Sequence, residues 1–287
     1  MRHLRRPVKP VFFAFAAPLA LVGLLTAPGV APARASGCTT WKVTQPPDPG
    51  TQTDDLFGVA TISSSDAWAV GHDSSGGNFR TLIEHWNGTT WKQVASPSPG
   101  RHNNTLAGVT ATSGSDAWAV GPYFNGLESL SLVVHWDGTV WKQVSSPNPT
   151  GSSELEGVSA TAANSAWAVG DDSKGRSLTL RWNGTAWTRV PSPNVLGAGD
   201  DNILDSVAAT SASNAWAVGA ATVTSTGTAF ELHWNGSKWA NMVSPTPGDT
   251  SSMDAVSATS ASNAWAVGDF SPDPQGQVQR TLAFHCG

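Results

Sequence analysis

From Leu56 onward, short apolar runs alternate with clusters of Gly, Pro, Ser, Asn and Asp. No i, i+3, i+4 apolar spacing persists for a dozen residues after the first 35. The pattern predicts short strands joined by turns, with no long amphipathic helix. Four kinds of run recur in fixed order. The first reads L-x-G-V-x-A-T, as in Leu155 to Thr161, and the second is Ala-Trp-Ala-Val-Gly, starting at Ala67, Ala117, Ala166, Ala215 and Ala264. The third ends in His-Trp, as in Thr81 to Trp86, and the fourth starts at the next tryptophan, as in Trp91 to Val94. Units begin at Leu56, Leu106, Leu155, Leu204 and Met253, spaced by 50, 49, 49 and 49 residues. A four-strand unit at a period near 50 is a propeller-type or solenoid-type signal, and the split fourth strand of the last unit makes the expectation an all-β propeller with five blades.

The third and fourth runs are joined by one motif: His85 to Trp91 (HWNGTTW), His135 to Trp141 (HWDGTVW), Arg181 to Trp187 (RWNGTAW) and His233 to Trp239 (HWNGSKW). Asn-Gly or Asp-Gly between apolar runs predicts a tight hairpin, because both central residues tolerate positive φ. All 14 tryptophans fall into three repeat slots, which assigns them to packing between neighbouring sheets. Lys42, Lys92 and Lys142 in the fourth run suit an outer sheet edge. The Ser-Pro-x-Pro segment that follows cannot continue a ladder and must cross to the next unit.

The fifth unit lacks a fourth strand, and Trp41-Lys42-Val43 is a fourth strand without its first three. The economical arrangement is a 3+1 closure, in which the N-terminal strand completes the last blade. Laid on the hairpin motif, Cys286 takes the slot of Trp86 and Cys38 that of Gly88. These are the two cysteines of the chain, and a Cys38–Cys286 disulfide is expected to replace the missing turn.

Residues 1–35 read as a secretory signal: Arg2, Arg5, Arg6 and Lys9, then an apolar stretch, then Ala33-Arg34-Ala35. Export would place residues 36–287, the propeller, outside the cell, where disulfides persist. Lipid attachment at Cys38 is the competing reading of Ala35-Ser36-Gly37-Cys38. The apolar stretch is too short and too interrupted for a membrane span. Cleavage would remove five of the 16 Lys and Arg residues and none of the 21 acids, leaving a net charge of −10. That charge argues against nucleic acid or anionic membrane as a partner.

The first-to-second turn and the Asn-Gly hairpin are nearly constant among the units and emerge on one face. The second-to-third loops (71–80, 121–129, 171–176, 220–229 and 269–279) and the Pro-rich crossings emerge on the other and share little. Binding is expected there. Glu156, Asp205 and Asp254 occupy matching positions in consecutive units, and they are the candidate ligand contacts together with His72 and His102. Such carboxylates suit a glycoside-hydrolase acid and base, or the oxygen shell of a Ca²⁺ ion; no other cofactor is expected. His85, His135, His233 and His285 share one slot in different units, so they cannot converge on a single metal.

The Ala-Trp-Ala-Val-Gly and His-Trp-Asn-Gly-Thr-x-Trp units resemble Trp-rich repeats of secreted bacterial β-propeller proteins, and more distantly kelch and Asp-box propellers. The resemblance covers residues 38–287 and implies the fold. The expected function is a secreted, monomeric, non-catalytic module that binds a glycan or cell-envelope ligand on the variable-loop face. The lectin element of this expectation follows the likeness to five-bladed lectins of the tachylectin type. The alternatives are a glycosidase using Glu156, Asp205 and Asp254, by analogy with five-bladed furanosidases, and a protein-interaction scaffold.

Overall fold

The computed structural model describes residues 40–149, 151–195, 200–223, 226–245, 247–273 and 278–287. The leader assigned to residues 1–35 and Cys38 lie outside them. The chain divides into two units, residues 1–43 and 44–287. Of the first, residues 40–43 are described and form no strand; Trp41 and Val43 are exposed. The second is all-β among its described residues, and none of these residues forms a helix long and apolar enough to cross a membrane.

Among the described residues nineteen strands form five antiparallel sheets, each running in chain order. Sheet 1 contains β1 (Asp54–Ser63), β2 (Asp66–Ser75), β3 (Asn78–Trp86) and β4 (Trp91–Gln93). Sheet 2 contains β5 (Gly108–Ser113), β6 (Asp116–Phe124), β7 (Ser129–Trp136) and β8 (Trp141–Gln143). Sheet 3 contains β9 (Ser153–Ala162), β10 (Ser165–Asp172), β11 (Ser177–Trp182) and β12 (Trp187–Arg189). Sheet 4 contains β13 (Asp201–Ser211), β14 (Asn214–Val223), β15 (Thr226–Trp234) and β16 (Trp239–Asn241). Sheet 5 contains, among the described residues, β17 (Thr250–Ser260), β18 (Asn263–Ser271) and β19 (Arg280–Cys286). This is a succession of propeller blades.

One device repeats at the joints between sheets. The β2 tryptophan, Trp68, enters a socket made by Trp136 and Trp141 of sheet 2, with ring centroids 5.0 and 5.1 Å away. Trp118 enters Trp182 and Trp187 at 4.8 and 5.2 Å, and Trp167 enters Trp234 and Trp239 at 4.9 Å each. All three inserted rings are fully buried. Small Ala residues flank each of them (Ala67 and Ala69 beside Trp68), so the neighbouring sheet can approach closely while the bulk comes from one ring per joint. Among the described residues no such joint links sheet 5 to sheet 1. Trp265 of β18 is 53% exposed, Val267 is 48% exposed, and Trp86 and Trp91 face each other at 5.7 Å with no third tryptophan between them.

The first strands lie side by side, and this explains the L-x-G motif. A Cβ on Gly58 would stand 3.2 Å from the Ala107 carbonyl oxygen, and one on Gly108 2.9 Å from that of Glu156. Hydroxyls stitch the same seam: Ala160, Ala209 and Val256 donate their N–H groups to Thr110, Ser159 and Ser206 of the preceding sheet. The residue before the glycine slot is extruded by a register shift, at Phe57, Glu156, Asp205 and Asp254.

The strands outrun their expected lengths. β2 continues pairing to Ser75, so the 71–80 loop contracts to Gly76-Gly77, both at positive φ (68° and 83°). Two residues of that conformation close a hairpin without splaying its strands. The Pro-rich crossings are held by the third strand. Thr81 bonds Ser96 and Ser98, Ser131 bonds Ser146 and Asn148, and Ser177 bonds Ser192 and Asn194.

Candidate functional site

On the turn face the repeated polar residues are committed to one another. His85 packs at a tilt against Trp68 and bonds Asp66 through Nε2 at 2.8 Å, and His135 stacks on Trp118 and bonds Asp116 at 2.7 Å. His233 and His285 pair with Asn214 and Asn263. Arg181, which replaces the histidine in sheet 3, lies over Trp167 and Trp234 and donates to the Ala212 carbonyl. The hairpin tryptophans Trp86, Trp136, Trp182 and Trp234 donate to carbonyls of the first turn. Little is left on this face to recognise a ligand.

The loop face differs from sheet to sheet. At sheets 1 and 2 a cavity of about 270 Å³ is lined by residues of the β2–β3 hairpin and of the crossing segment 98–104. Phe79, Arg80, Arg101 and His102 are its chemically distinct members. The crossing is fixed from below by Asn104, which is 2% exposed. Its amide donates to the carbonyls of Phe79, Gly100 and His102, and its oxygen accepts the Gly100 N–H at 2.7 Å. Arg80 is anchored to Asp73 at 3.0 Å, and His102 Nδ1 meets the Asn78 side-chain oxygen at 3.0 Å. His72 lies beneath, buried, with its ring 4.0 Å from Phe79 and 5.3 Å from Phe57. Burial holds its pKa below the usual histidine range, against the opposing pull of Asp55, Asp73 and Asp54. The two histidines singled out in the sequence therefore meet one locality: His102 lines the cavity, and His72 supports the ring that lines it.

The acidic candidates take matching positions, at the register shifts of successive first strands. Glu156 and Asp205 are half-buried, and Asp254 reaches solvent. Burial and then Asp269 push the Asp254 carboxyl upward, opposed by a bond from Ser252. The most perturbed carboxyl of this cluster is one the sequence left in a loop. Asp171, the penultimate residue of β10, lies opposite Glu154 and is half-buried; burial first, then Glu154, Glu156, Asp201 and Asp172, raise its pKa to about 8. Its neighbour Asp172 is pulled the other way by bonds from Arg176 and from the Lys174 and Arg176 N–H groups, against its own burial. Only strand register brings Asp171 and Glu154 together, and sequence spacing gives no sign of it. Among the described residues no group of three or more His, Cys, Asp or Glu side chains is arranged to hold a metal ion.

Cys286 lies opposite Ala264 at the end of β19 and is half-buried, with no disulfide partner among the described residues; Cys38 lies outside them.

No protein-family model matches the chain, and no curated protein matches its sequence. Solved structures are similar in fold. A protein of unknown function from Dyadobacter fermentans aligns at 12% identity over 79% of this chain and 74% of its own, with a TM-score of 0.52. YCF48 bound to a D1 peptide aligns at 17% identity over 79% and 68%, with a TM-score of 0.47. The fungal lectin of Aleuria aurantia, a six-bladed β-propeller with a fucose recognition mode, aligns at 12% identity over 79% and 73%, with a TM-score of 0.48. At these identities the similarity is one of fold alone.

Proposed function

We propose that this protein is exported and acts as a monomeric, non-catalytic binding module whose loop face takes a glycan or other cell-envelope ligand. The observation that carries this reading is the cavity of about 270 Å³ on the face where the repeat breaks down, held by a rigid frame. In the same reading the chain closes into a five-bladed ring. Trp41-Lys42-Val43 pairs with the free edge of β19, and Cys38 and Cys286 form the disulfide that secures it. Three copies of the Trp joint support closure, because Trp265 is an unused knob and Trp86–Trp91 an unused socket.

A broad glycan array probed with the oxidised protein tests the function. Saturable binding to one sugar class is expected, and a blank array sinks it. One observation favours a second reading, a glycoside hydrolase. An acid raised to about 8 beside several carboxylates is what a general acid at neutral pH requires. Glu156 and Asp205 would supply the base or nucleophile, while Asp254 lies with Asp269 in the next sheet. Polysaccharide hydrolysis that disappears in Asp171→Asn would put this reading ahead.

A further inference from the structure

We propose that the cavity at sheets 1 and 2 is a subsite for a carboxylate-bearing sugar, the chemistry of a uronic acid residue in an acidic polysaccharide; this rests on the binding reading above. Charge is the first ground. The chain carries 21 acids against 16 Lys and Arg residues, yet this cavity is lined by Arg80, Arg101 and His102 and by no carboxylate. Asp73 lies behind Arg80 and balances it, with bonds from Nε and one terminal nitrogen at 3.2 and 3.0 Å. Arg101 makes no hydrogen bond or ion pair among the described residues. The site thus offers two guanidinium groups with a net charge near one. That matches a monoanion and the planar fork geometry of a carboxylate better than a phosphate dianion.

The remaining lining suits a sugar ring. Bonded to the Asn78 side-chain oxygen through Nδ1, His102 keeps its proton there and presents Nε2 as an acceptor for a hydroxyl. Phe79, half-buried and backed by His72, gives an apolar surface for the C–H face of a ring. The volume admits about one ring, at the small end of ligand cavities. Asn104 fixes the crossing before any ligand arrives, which lowers the ordering cost of binding.

Sheet 3 provides an internal control. Asp172 and Arg176 repeat the Asp73–Arg80 pair there, but the position of His72 is taken by Asp171 among other carboxylates. An anion would be repelled from that equivalent place. The arrangement therefore gives one anion subsite, with no ring of equal copies.

The test is a titration of the protein with glucuronic acid, its methyl ester, glucose and inorganic phosphate, followed by saturation-transfer NMR and calorimetry. Glucuronate should saturate, with the ester and glucose at least tenfold weaker. Arg101→Ala should weaken glucuronate at least tenfold while leaving the melting temperature unchanged, since Arg101 is exposed. Lys174→Ala, in the sheet 3 loop, should change nothing. Equal binding of glucose and glucuronate would overturn the proposal and leave the glycan-binding reading standing. Phosphate binding as tightly as glucuronate would overturn the sugar assignment, and an unaffected Arg101→Ala would overturn the site. A blank glycan array together with no glucuronate binding would sink both readings.

Discussion

If the ring closes, Trp265 occupies the socket of Trp86 and Trp91 as Trp118 occupies that of Trp182 and Trp187. A tryptophan side chain buries about 200 Å² when enclosed, or about 5 kcal/mol at 25 cal/mol per Å². Trp118 is 1% exposed, so Trp118→Ala should cost about 3–5 kcal/mol. Trp265 is 53% exposed in the open arrangement, so Trp265→Ala would there cost at most about half as much, roughly 2 kcal/mol. Closure would bring the two costs together. A double-mutant cycle separates the cases more sharply than either single value. In contact, Trp265 and Trp86 should show a coupling of about 0.5–1.5 kcal/mol, as aromatic pairs do. The assay is guanidinium unfolding followed by tryptophan fluorescence, with the Trp118/Trp182 cycle as positive control. It is repeated over a hundredfold range of protein concentration, since a second copy could fill the same socket head to tail. A coupling below about 0.3 kcal/mol for Trp265/Trp86, beside a normal control value, would refute closure. A coupling that grows with concentration would replace the ring by an assembly.

Two further outcomes are expected. Non-reducing peptide mapping of the exported protein should recover Cys38 joined to Cys286, and reduction should destabilise it by up to about 5 kcal/mol in the chain-entropy model; a diacylglyceryl group on Cys38 would exclude the bridge. Glu231, 6% exposed with both carboxylate oxygens unpartnered, is raised by burial from 4.5 to about 7. The folded state therefore holds this proton more tightly than the unfolded chain. The stability linked to it is fully present below pH about 4.5 and is lost as pH rises through about 7, a fall of up to about 3 kcal/mol. Glu231→Gln should flatten that fall in urea midpoints between pH 4 and 8, and an unchanged slope would show that the carboxyl is solvated.

What was legible in the sequence was the local chemistry. The glycines of the hairpin motif (Gly88, Gly138, Gly184 and Gly236) all adopt φ between 90° and 93°. The shared histidine slot, set aside as a metal site, packs against the second-strand tryptophans. The Trp slots marked the joints, because a residue needed once per sheet recurs once per period. Three features stayed hidden, each because it depends on register. The extruded position before the glycine appears only when one strand slips against its neighbour. Asp171 enters the acidic cluster only because β10 pairs beyond the Ala-Trp-Ala-Val-Gly run. His72 packs on Phe79 while His102, thirty residues on, lines the same cavity through a crossing held by Asn104, whose slot reads as an ordinary polar residue.

The same repeat that makes the frame regular limits what it can bind. On the turn face four sheets use the same histidine against an Asp or Asn of the first turn, and sheet 3 puts Arg181 over two tryptophans in its place. On the loop face the slot of His72 becomes Pro122, Asp171, Ala220 and Asp269 in successive sheets: one imidazole, two carboxyls and two residues without a titratable group. Five equal sites would require that slot to be uniform. Beside that uneven slot, the cavity at sheets 1 and 2 is lined by Arg80, Arg101 and His102, while carboxylates gather at sheets 3 to 5, on a frame too tightly jointed to rearrange between them. A ligand spanning that face must therefore be chemically asymmetric or must use one end of it. Binding should follow a single-site isotherm, and a Hill coefficient or stoichiometry near five would contradict the placement of function on this face.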